Sequence, residues 1–215
     1  MAAERLRITE IFYSLQGESV TVGLPTVFIR LTGCPLRCNY CDTTYAFQGG
    51  EWWTFDSILE EAKKYQTPYV TVTGGEPLAQ NNCIPLLTRL VDTGYEVSLE
   101  TSGALDIASV DKRVVTVMDI KTPSSGEVEK NLWGNVQLLK PVDQVKLVIA
   151  NRDDYDWSVK MLSEHQLSEK CTVLFSPVQG QLEPRQLADW ILQDQLPVRF
   201  QVQLHKLLWD NAPGR

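Results

Sequence analysis

The sequence predicts an α/β fold in which mostly parallel strands, wrapped by helices, curl into a partial barrel around a polar interior. Three observations predict it. Strand-like and helix-like runs alternate almost from end to end, which implies crossover connections and a largely parallel sheet. Within the strand-like runs one parity is apolar while the other is repeatedly polar. Glycine-bearing and carboxylate-bearing motifs directly follow several of these runs, where barrels and open α/β sheets place their ligands.

The predicted strands are 27–32, 69–73, 96–100, 114–120, 144–150, 172–176 and 198–205, preceded by a short strand ending in a turn over 11–18. The predicted helices are 54–66, 83–93, 131–140, 153–166 and 183–193, with Thr54 as the N-cap of the first and Gly94 ending the second. The parity is explicit. Val27, Ile29 and Leu31 alternate with Arg30 and Thr32, Val70 and Val72 with Thr71 and Thr73, and Val97 and Leu99 with Ser98 and Glu100. Val145, Leu147 and Ile149 alternate with Gln144 and Lys146, and Phe200, Val202 and Leu204 with Gln201, Gln203 and His205. Successive strand side chains point to opposite faces. Five strands therefore send polar groups to one side, either to open water or, as the preferred reading, into a ligand-holding lumen. Charges such as Arg30, Glu100 and Lys146 could not share a dry core without partners.

At 215 residues the chain suits one sizeable domain spanning 1–215, and no Pro/Gly/Ser-rich linker divides it. A net charge of −7 and a pI near 4.9 argue against a nucleic-acid footprint and favour a small-molecule enzyme. No stretch reads as a membrane span or a signal peptide. Three of the five cysteines share one loop, so a disulfide framework is not expected and a reducing cytoplasm is. Cys83 and Cys171 stand in apolar contexts and read as core fillers.

The chain is organised around Gly33-Cys34-Pro35-Leu36-Arg37-Cys38-Asn39-Tyr40-Cys41-Asp42-Thr43. Cysteines at i, i+4 and i+7 after a buried strand can hold three irons of a 4Fe–4S cluster, leaving the fourth iron to a small molecule. Zinc sites usually add a second Cys pair or histidines, which this sequence lacks; a zinc site and three unrelated core thiols are the other readings. Thr73-Gly74-Gly75-Glu76-Pro77, Glu100-Thr101-Ser102-Gly103 and Asp119-Ile120-Lys121-Thr122-Pro123 each follow a predicted strand. The paired glycines allow close backbone approach to a ligand, and Glu76 offers a carboxylate to an ammonium group.

The cysteine spacing and the Gly-Gly-Glu-Pro turn resemble those of radical S-adenosylmethionine (SAM) enzymes. With Leu15-Gln16-Gly17-Glu18, Arg30, Asp42-Thr43, Glu-Thr-Ser-Gly and a late Gln-x-His-Lys, residues 8–209 resemble the 7-carboxy-7-deazaguanine synthases. The resemblance implies a modified, partial TIM-type barrel and a radical ring contraction of 6-carboxy-5,6,7,8-tetrahydropterin to 7-carboxy-7-deazaguanine, with loss of ammonia, on the path to queuosine. It implies that Cys34, Cys38 and Cys41 bind the cluster. Tyr40, Asp42, Gly75, Glu76, Asp119, Lys121, Ser176 and Pro177 would contact SAM. Leu15, Gln16, Gly17, Glu18, Thr73 and His205 would meet the pterin, and Arg30 its carboxylate, for which a two-pronged guanidinium is suited. Thr43 would hold Mg2+. A flavodoxin-type reductant and a homodimer are implied as well. An activase of a glycyl-radical enzyme shares the cysteine loop, and a non-catalytic iron–sulfur or zinc module is the alternative outside enzymes. Some family members end a few residues after the histidine on a proline whose carboxylate enters the site. Here residues 209–215 continue further, so no terminal carboxylate is assigned.

Overall fold

The computed structural model describes residues 4–210, 212 and 214. Asn211, Pro213 and Arg215 of the extended tail lie outside the described residues. Among the described residues, nine strands form one sheet. They are β1 (Arg5–Leu15), β2 (Pro25–Leu31), β3 (Glu51–Thr54), β4 (Tyr69–Gly74), β5 (Glu96–Thr101), β6 (Val115–Ile120), β7 (Gln144–Ile149), β8 (Thr172–Pro177) and β9 (Arg199–Phe200), in spatial order β3-β1-β2-β4-β5-β6-β7-β8-β9. From β2 through β9 every pairing is parallel, while β1 runs antiparallel to both β2 and β3. The order begins at β3 and ends at β9, so the barrel is partial and hydrogen bonds between strands do not close it. Among the described residues six α-helices accompany it: α1 (Phe55–Ala62), α2 (Cys83–Asp92), α3 (Arg152–Glu164), α4 (Leu167–Lys170), α5 (Pro184–Gln193) and α6 (Leu204–Trp209). Among the described residues no helix is long and apolar enough to cross a membrane.

The strand parity sorts the side chains as the sequence predicts. Val27, Ile29, Leu31, Val70, Val72, Val97 and Leu99 pack outward against Ile58 and Leu59 of α1 and Leu86, Leu87 and Leu90 of α2. Val145, Leu147, Ile149, Val173 and Phe175 pack against Tyr155 of α3, Leu167 of α4 and Leu187 of α5. Burial of such large aliphatic side chains contributes about 1.5–3 kcal/mol each. The opposite parity is not open to water: Thr71 and Gln144 are each 2% exposed. It faces an enclosed polar interior. Local signals set the helix starts. Thr54 Oγ1 accepts from Ser57 N at 3.2 Å, and Asn151 Oδ1 accepts from Asp154 N at 3.0 Å, each satisfying an otherwise unpaired first-turn donor. Gly94, at φ +97°, ends α2 in a conformation that favours glycine.

Four elements depart from the sequence reading. The short strand over 11–18 is the second half of β1, whose first half pairs with β3, a strand the sequence reading lacks. The helix expected over 131–140 is a 3₁₀ segment, Trp133–Leu138. Its Asn135 is buried, donating from Nδ2 to Gly103 O and Leu105 O and accepting from Ile107 N at Oδ1. A polar side chain turned inward to satisfy loop backbone does not suit a regular apolar helix face. Helix α1 ends at Ala62 rather than near 66. The strand expected over 198–205 is only Arg199–Phe200, after which the chain leaves the sheet and forms α6. Gln201 drives that exit, because its Nε2 donates to Ser19 O and its Oε1 accepts from Ser19 N, both at 2.7 Å.

Candidate active site

The lumen is a cavity of about 630 Å³. Cys34, Cys38 and Cys41 line it from the loop after β2, together with Tyr40, Asp42 and Thr43. Gly75, Asp119 and Lys121 enter from the ends of β4 and β6, and Arg30 and Thr73 from the strands themselves. Leu15, Gln16, Gly17 and Glu18 enter from the turn after β1, and His205 from α6. Sixteen of the nineteen residues expected at a site therefore share one cavity; the other three are Glu76, Ser176 and Pro177.

The three thiols are half-buried and free. Burial pushes the Cys34 thiol up and the Cys38 thiol up to about 11, so only a metal's charge would hold these groups as thiolates. Among the described residues no three His, Cys, Asp or Glu side chains converge on a single ion. The three thiols line one cavity, which suits a cube of iron and sulfur that takes each cysteine on a separate iron. The loop is packed tightly against the Gly-Gly turn: a Cβ on Gly75 would sit 2.4 Å from Gly33 O and 2.6 Å from Cys34 Cβ. Glycine is required there by space. Asn39 pins the other side of the loop, donating from N to Ser125 O and from Nδ2 to Ser124 O.

Glu76 is placed differently from the expectation. Its side chain is fully buried and its carboxylate accepts from Leu78 N, Thr101 Oγ1, Ser102 N and Ser102 Oγ. With those lone pairs occupied by neutral donors, it ties the Gly-Gly turn to the end of β5 rather than reaching toward a ligand. Ser176 is also buried, its Oγ without a hydrogen-bond partner among the described residues, and it pairs beside Val148 in the β7–β8 register.

The centre of the cavity is a chain of alternating charges. Lys146 Nζ lies 2.5 Å from Glu18 Oε2 and 3.3 Å from Asp119 Oδ2, and Lys121 Nζ lies 3.2 Å from Asp119 Oδ1. Burial would push both carboxyl groups up, but Lys146 overrides it at Glu18, and Lys121 with Lys146 overrides it at Asp119, so both lie below the usual range. Glu100 has no such partner; burial and the neighbouring Glu18 hold it above the usual range, while its oxygens accept from Thr73 Oγ1 at 2.8 Å and Gln16 Nε2 at 3.4 Å. Asp42 is held low by Lys206, 2.8 Å away, against the upward push of burial. Thr43 Oγ1 donates to Asp42 Oδ1 at 2.9 Å.

Arg30 meets Glu10 rather than Glu100: its Nε donates to Glu10 Oε1 at 2.7 Å, which also accepts from Tyr45 Oη at 2.8 Å. The guanidinium lies near the Phe12 and Tyr45 rings, 5.7 and 5.8 Å from their centroids. His205 is not on a strand, yet it reaches the site from α6. Its ring packs so closely on Gly17 that a Cβ there would meet Nδ1 at 2.1 Å. Gln203 Nε2 donates to Glu18 Oε1 at 2.5 Å. The sequence reading assigned no site role to Lys146, Glu100, Gln203, Lys206, Glu10 or Tyr45. Strand parity already singled out Lys146, Glu100 and Gln203, and Gln203 and Lys206 belong to the late Gln-x-His-Lys motif, whereas nothing local marks Glu10 or Tyr45.

Residues 28–119 match the model of the Radical SAM superfamily. The chain is 47% identical to the 7-carboxy-7-deazaguanine synthase of Chlorobaculum tepidum, over 95% of this chain and 94% of that one. It is 41% identical to the synthase of Koribacter versatilis, over 95% and 97%. The crystal structure of QueE from Escherichia coli superposes with a TM-score of 0.73 at 21% identity, covering 94% of this chain and 95% of that one. Streptococcus suis SuiB bound to S-adenosylmethionine superposes with a TM-score of 0.55 at 15% identity, covering 80% and 45%; both structural likenesses speak to the fold. With two curated relatives above 40% identity over nearly the whole chain, this protein belongs to the 7-carboxy-7-deazaguanine synthases, a family of radical SAM enzymes.

Proposed function

We propose that this chain, acting as one catalytic unit, converts 6-carboxy-5,6,7,8-tetrahydropterin to 7-carboxy-7-deazaguanine with release of ammonia, in the biosynthesis of queuosine. The observation that carries this reading is the shared cavity, in which the cysteine loop and the groups suited to a carboxylated pterin face one another. A 4Fe–4S cluster on Cys34, Cys38 and Cys41, with SAM beside it, would supply a 5′-deoxyadenosyl radical by one-electron cleavage of SAM. The chain's own residues then bind, orient and shield. Gly75, Tyr40, Asp119 and Lys121 are the groups proposed for SAM. Tyr40 is fixed for that role, its hydroxyl 3.1 Å from Thr122 Oγ1.

The substrate end follows from unused hydrogen-bonding capacity. Arg30 is anchored through Nε, which leaves its two terminal amino groups to grip a carboxylate in parallel. A carboxylate offers about four acceptor positions. Glu18 commits one oxygen to Lys146 and the other to Gln203, and the remaining positions suit the amino and ring N–H donors of a pterin. Leu15, Gln16, Gly17, Thr73 and His205 would complete that edge. We further propose Mg2+ at Thr43: because Oγ1 gives its proton to Asp42, its lone pairs are left for a hard cation. A homodimer, a flavodoxin-type reductant and a cytoplasmic setting complete the proposal. The test is an anaerobic assay with reconstituted, reduced protein, SAM and the carboxytetrahydropterin, with product detected by mass. Product at the mass of 7-carboxy-7-deazaguanine supports the reading; SAM cleavage without that product overturns the substrate assignment.

A further inference from the structure

Lys146, in the middle of β7, is one side chain at the centre of the cavity that the family motifs leave unassigned. Its ammonium is shared by two carboxylates on separate elements: Glu18, 128 residues earlier in the turn after β1, at 2.5 Å, and Asp119 at the end of β6 at 3.3 Å. The lysine side chain is 14% exposed and the two carboxylates 12% and 18%, so water does little to screen this triad. Each carboxylate has a further tie. Glu18 Oε1 is held by Gln203 Nε2, whereas Asp119 Oδ1 is buried without a hydrogen bond, although Lys121 Nζ lies 3.2 Å away. Asp119 and Glu18 both line the cavity, so ligands in that one space can meet either end of the triad.

We infer that Lys146 is a positioning residue that couples the two ends of the cavity, so that SAM bound at Asp119 strengthens the binding of a carboxylated pterin at Glu18. The inference rests on the substrate reading above and adds to it a route between the two ligands. A ligand held at Asp119 fixes that carboxylate against Lys146, which lies 3.3 Å from its Oδ2. A lysine tethered at one carboxylate holds the other in its receiving geometry. The freedom of the Lys146 ammonium, shared between the two carboxylates, is then spent when SAM binds, and the pterin that follows binds more tightly. A lysine that merely balanced charge would contribute to stability and leave the two affinities independent.

The experiment is a pair of titrations on the anaerobically reconstituted protein, with no reductant so that nothing turns over. The carboxytetrahydropterin is titrated with and without saturating SAM, in the wild type and in Lys146→Met. In the wild type, SAM should lower the pterin Kd by about 5-fold or more, within the usual range of coupling between sites, and the pterin should lower the SAM Kd by the same factor. In Lys146→Met each ligand should still bind alone, while the coupling falls to within about twofold. Lys146→Arg, which can still span two carboxylates, should recover part of it. If Lys146→Met does not fold, Lys146→Gln takes its place under the same criterion. Equal coupling in the wild type and the neutral variant overturns the inference, as does a wild type whose two affinities are independent. A wild type that binds SAM but no pterin overturns the substrate reading and this inference with it.

Discussion

Two regions of the molecule bury carboxylates in opposite ways. At the joint between the Gly-Gly turn and the end of β5, Glu76 accepts from hydroxyl and amide donors of Thr101, Ser102 and Leu78. In the lumen, Glu18 and Asp119 are neutralised by a lysine and keep acceptor positions to spare. A carboxylate saturated by fixed neutral dipoles is a structural joint, since a ligand could only displace bonds it already makes. A carboxylate held by a cation keeps its charge, and its remaining lone pairs are available to an incoming ligand. Burial alone does not tell the two apart; the partner does.

The largest expected contrast is between cysteines of the cavity and a cysteine of the packed core. Cys34→Ala, Cys38→Ala or Cys41→Ala should abolish reductive SAM cleavage, whereas Cys83→Ala, in the dry core beneath α2, should keep it at a stability cost of ~1 kcal/mol. Wild-type turnover by Cys34→Ala would break the comparison outright.

Arg30→Ala should lower kcat/KM for the pterin by roughly 10- to 150-fold, the equivalent of losing about 1.5–3 kcal/mol of charge-assisted contact. Stability should change little, because the abandoned Glu10 is 22% exposed and still bonded to Tyr45. Unchanged pterin affinity with a large fall in melting temperature would place Arg30 on the structural side instead. Glu76→Gln inverts that signature. An amide nitrogen facing the Thr101 and Ser102 donors should cost about 3 kcal/mol and lower Tm by roughly 6–12 °C, with any loss of pterin affinity following the loss of fold. Calorimetry beside a pterin titration on both variants sharpens the contrast.

The smallest effect is at His205. Burial holds its pKa below the usual 6.5, outweighing the pull of Glu18 and Asp42. The unfolded chain therefore binds this proton first, and the stability present above about pH 6.5 declines as pH falls through the folded pKa. Glu100, raised in the folded state, acts in the opposite sense, gaining stability as the pH falls. The difference between wild type and His205→Gln isolates the histidine: Tm should fall less in the variant between about pH 7 and 5.5. An identical slope in both proteins would show that His205 carries no such linkage.

Much of this was legible in the sequence because side-chain parity is a local property with global meaning. Val70, Thr71, Val72 and Thr73 declare which face is dry before any neighbour is known. The cysteine loop, the Gly-Gly turn and Gln16-Gly17-Glu18 were legible as motifs, and the cavity brings them together. What was not legible depended on contacts distant in sequence. Glu10 and Arg30 meet through the antiparallel register of β1 and β2, and a reading that began β1 at residue 11 left Glu10 out. Lys206 reaches Asp42 only because the chain leaves the sheet after Phe200, and the alternation of 200–205 reads equally well as a continuing strand. Glu76 misled for a chemical reason: a glutamate after two glycines looks available to a ligand until Thr101 and Ser102 are placed against it.

The clasp between Gln201 and Ser19 has a consequence for the order of folding. Its two hydrogen bonds span 182 residues, and Leu204 N adds a third tie to Gly17 O. Contacts of such separation bear the greatest loop-closure entropy and form after local ones. The parallel core from β2 to β8 can therefore assemble while the lumen is still open on one side, with the cysteine loop reachable from water. Only when residues 201–206 fold back over the turn after β1 does the gap between β9 and β1 narrow. The last part of the chain to settle is thus the wall that completes this side of the chamber.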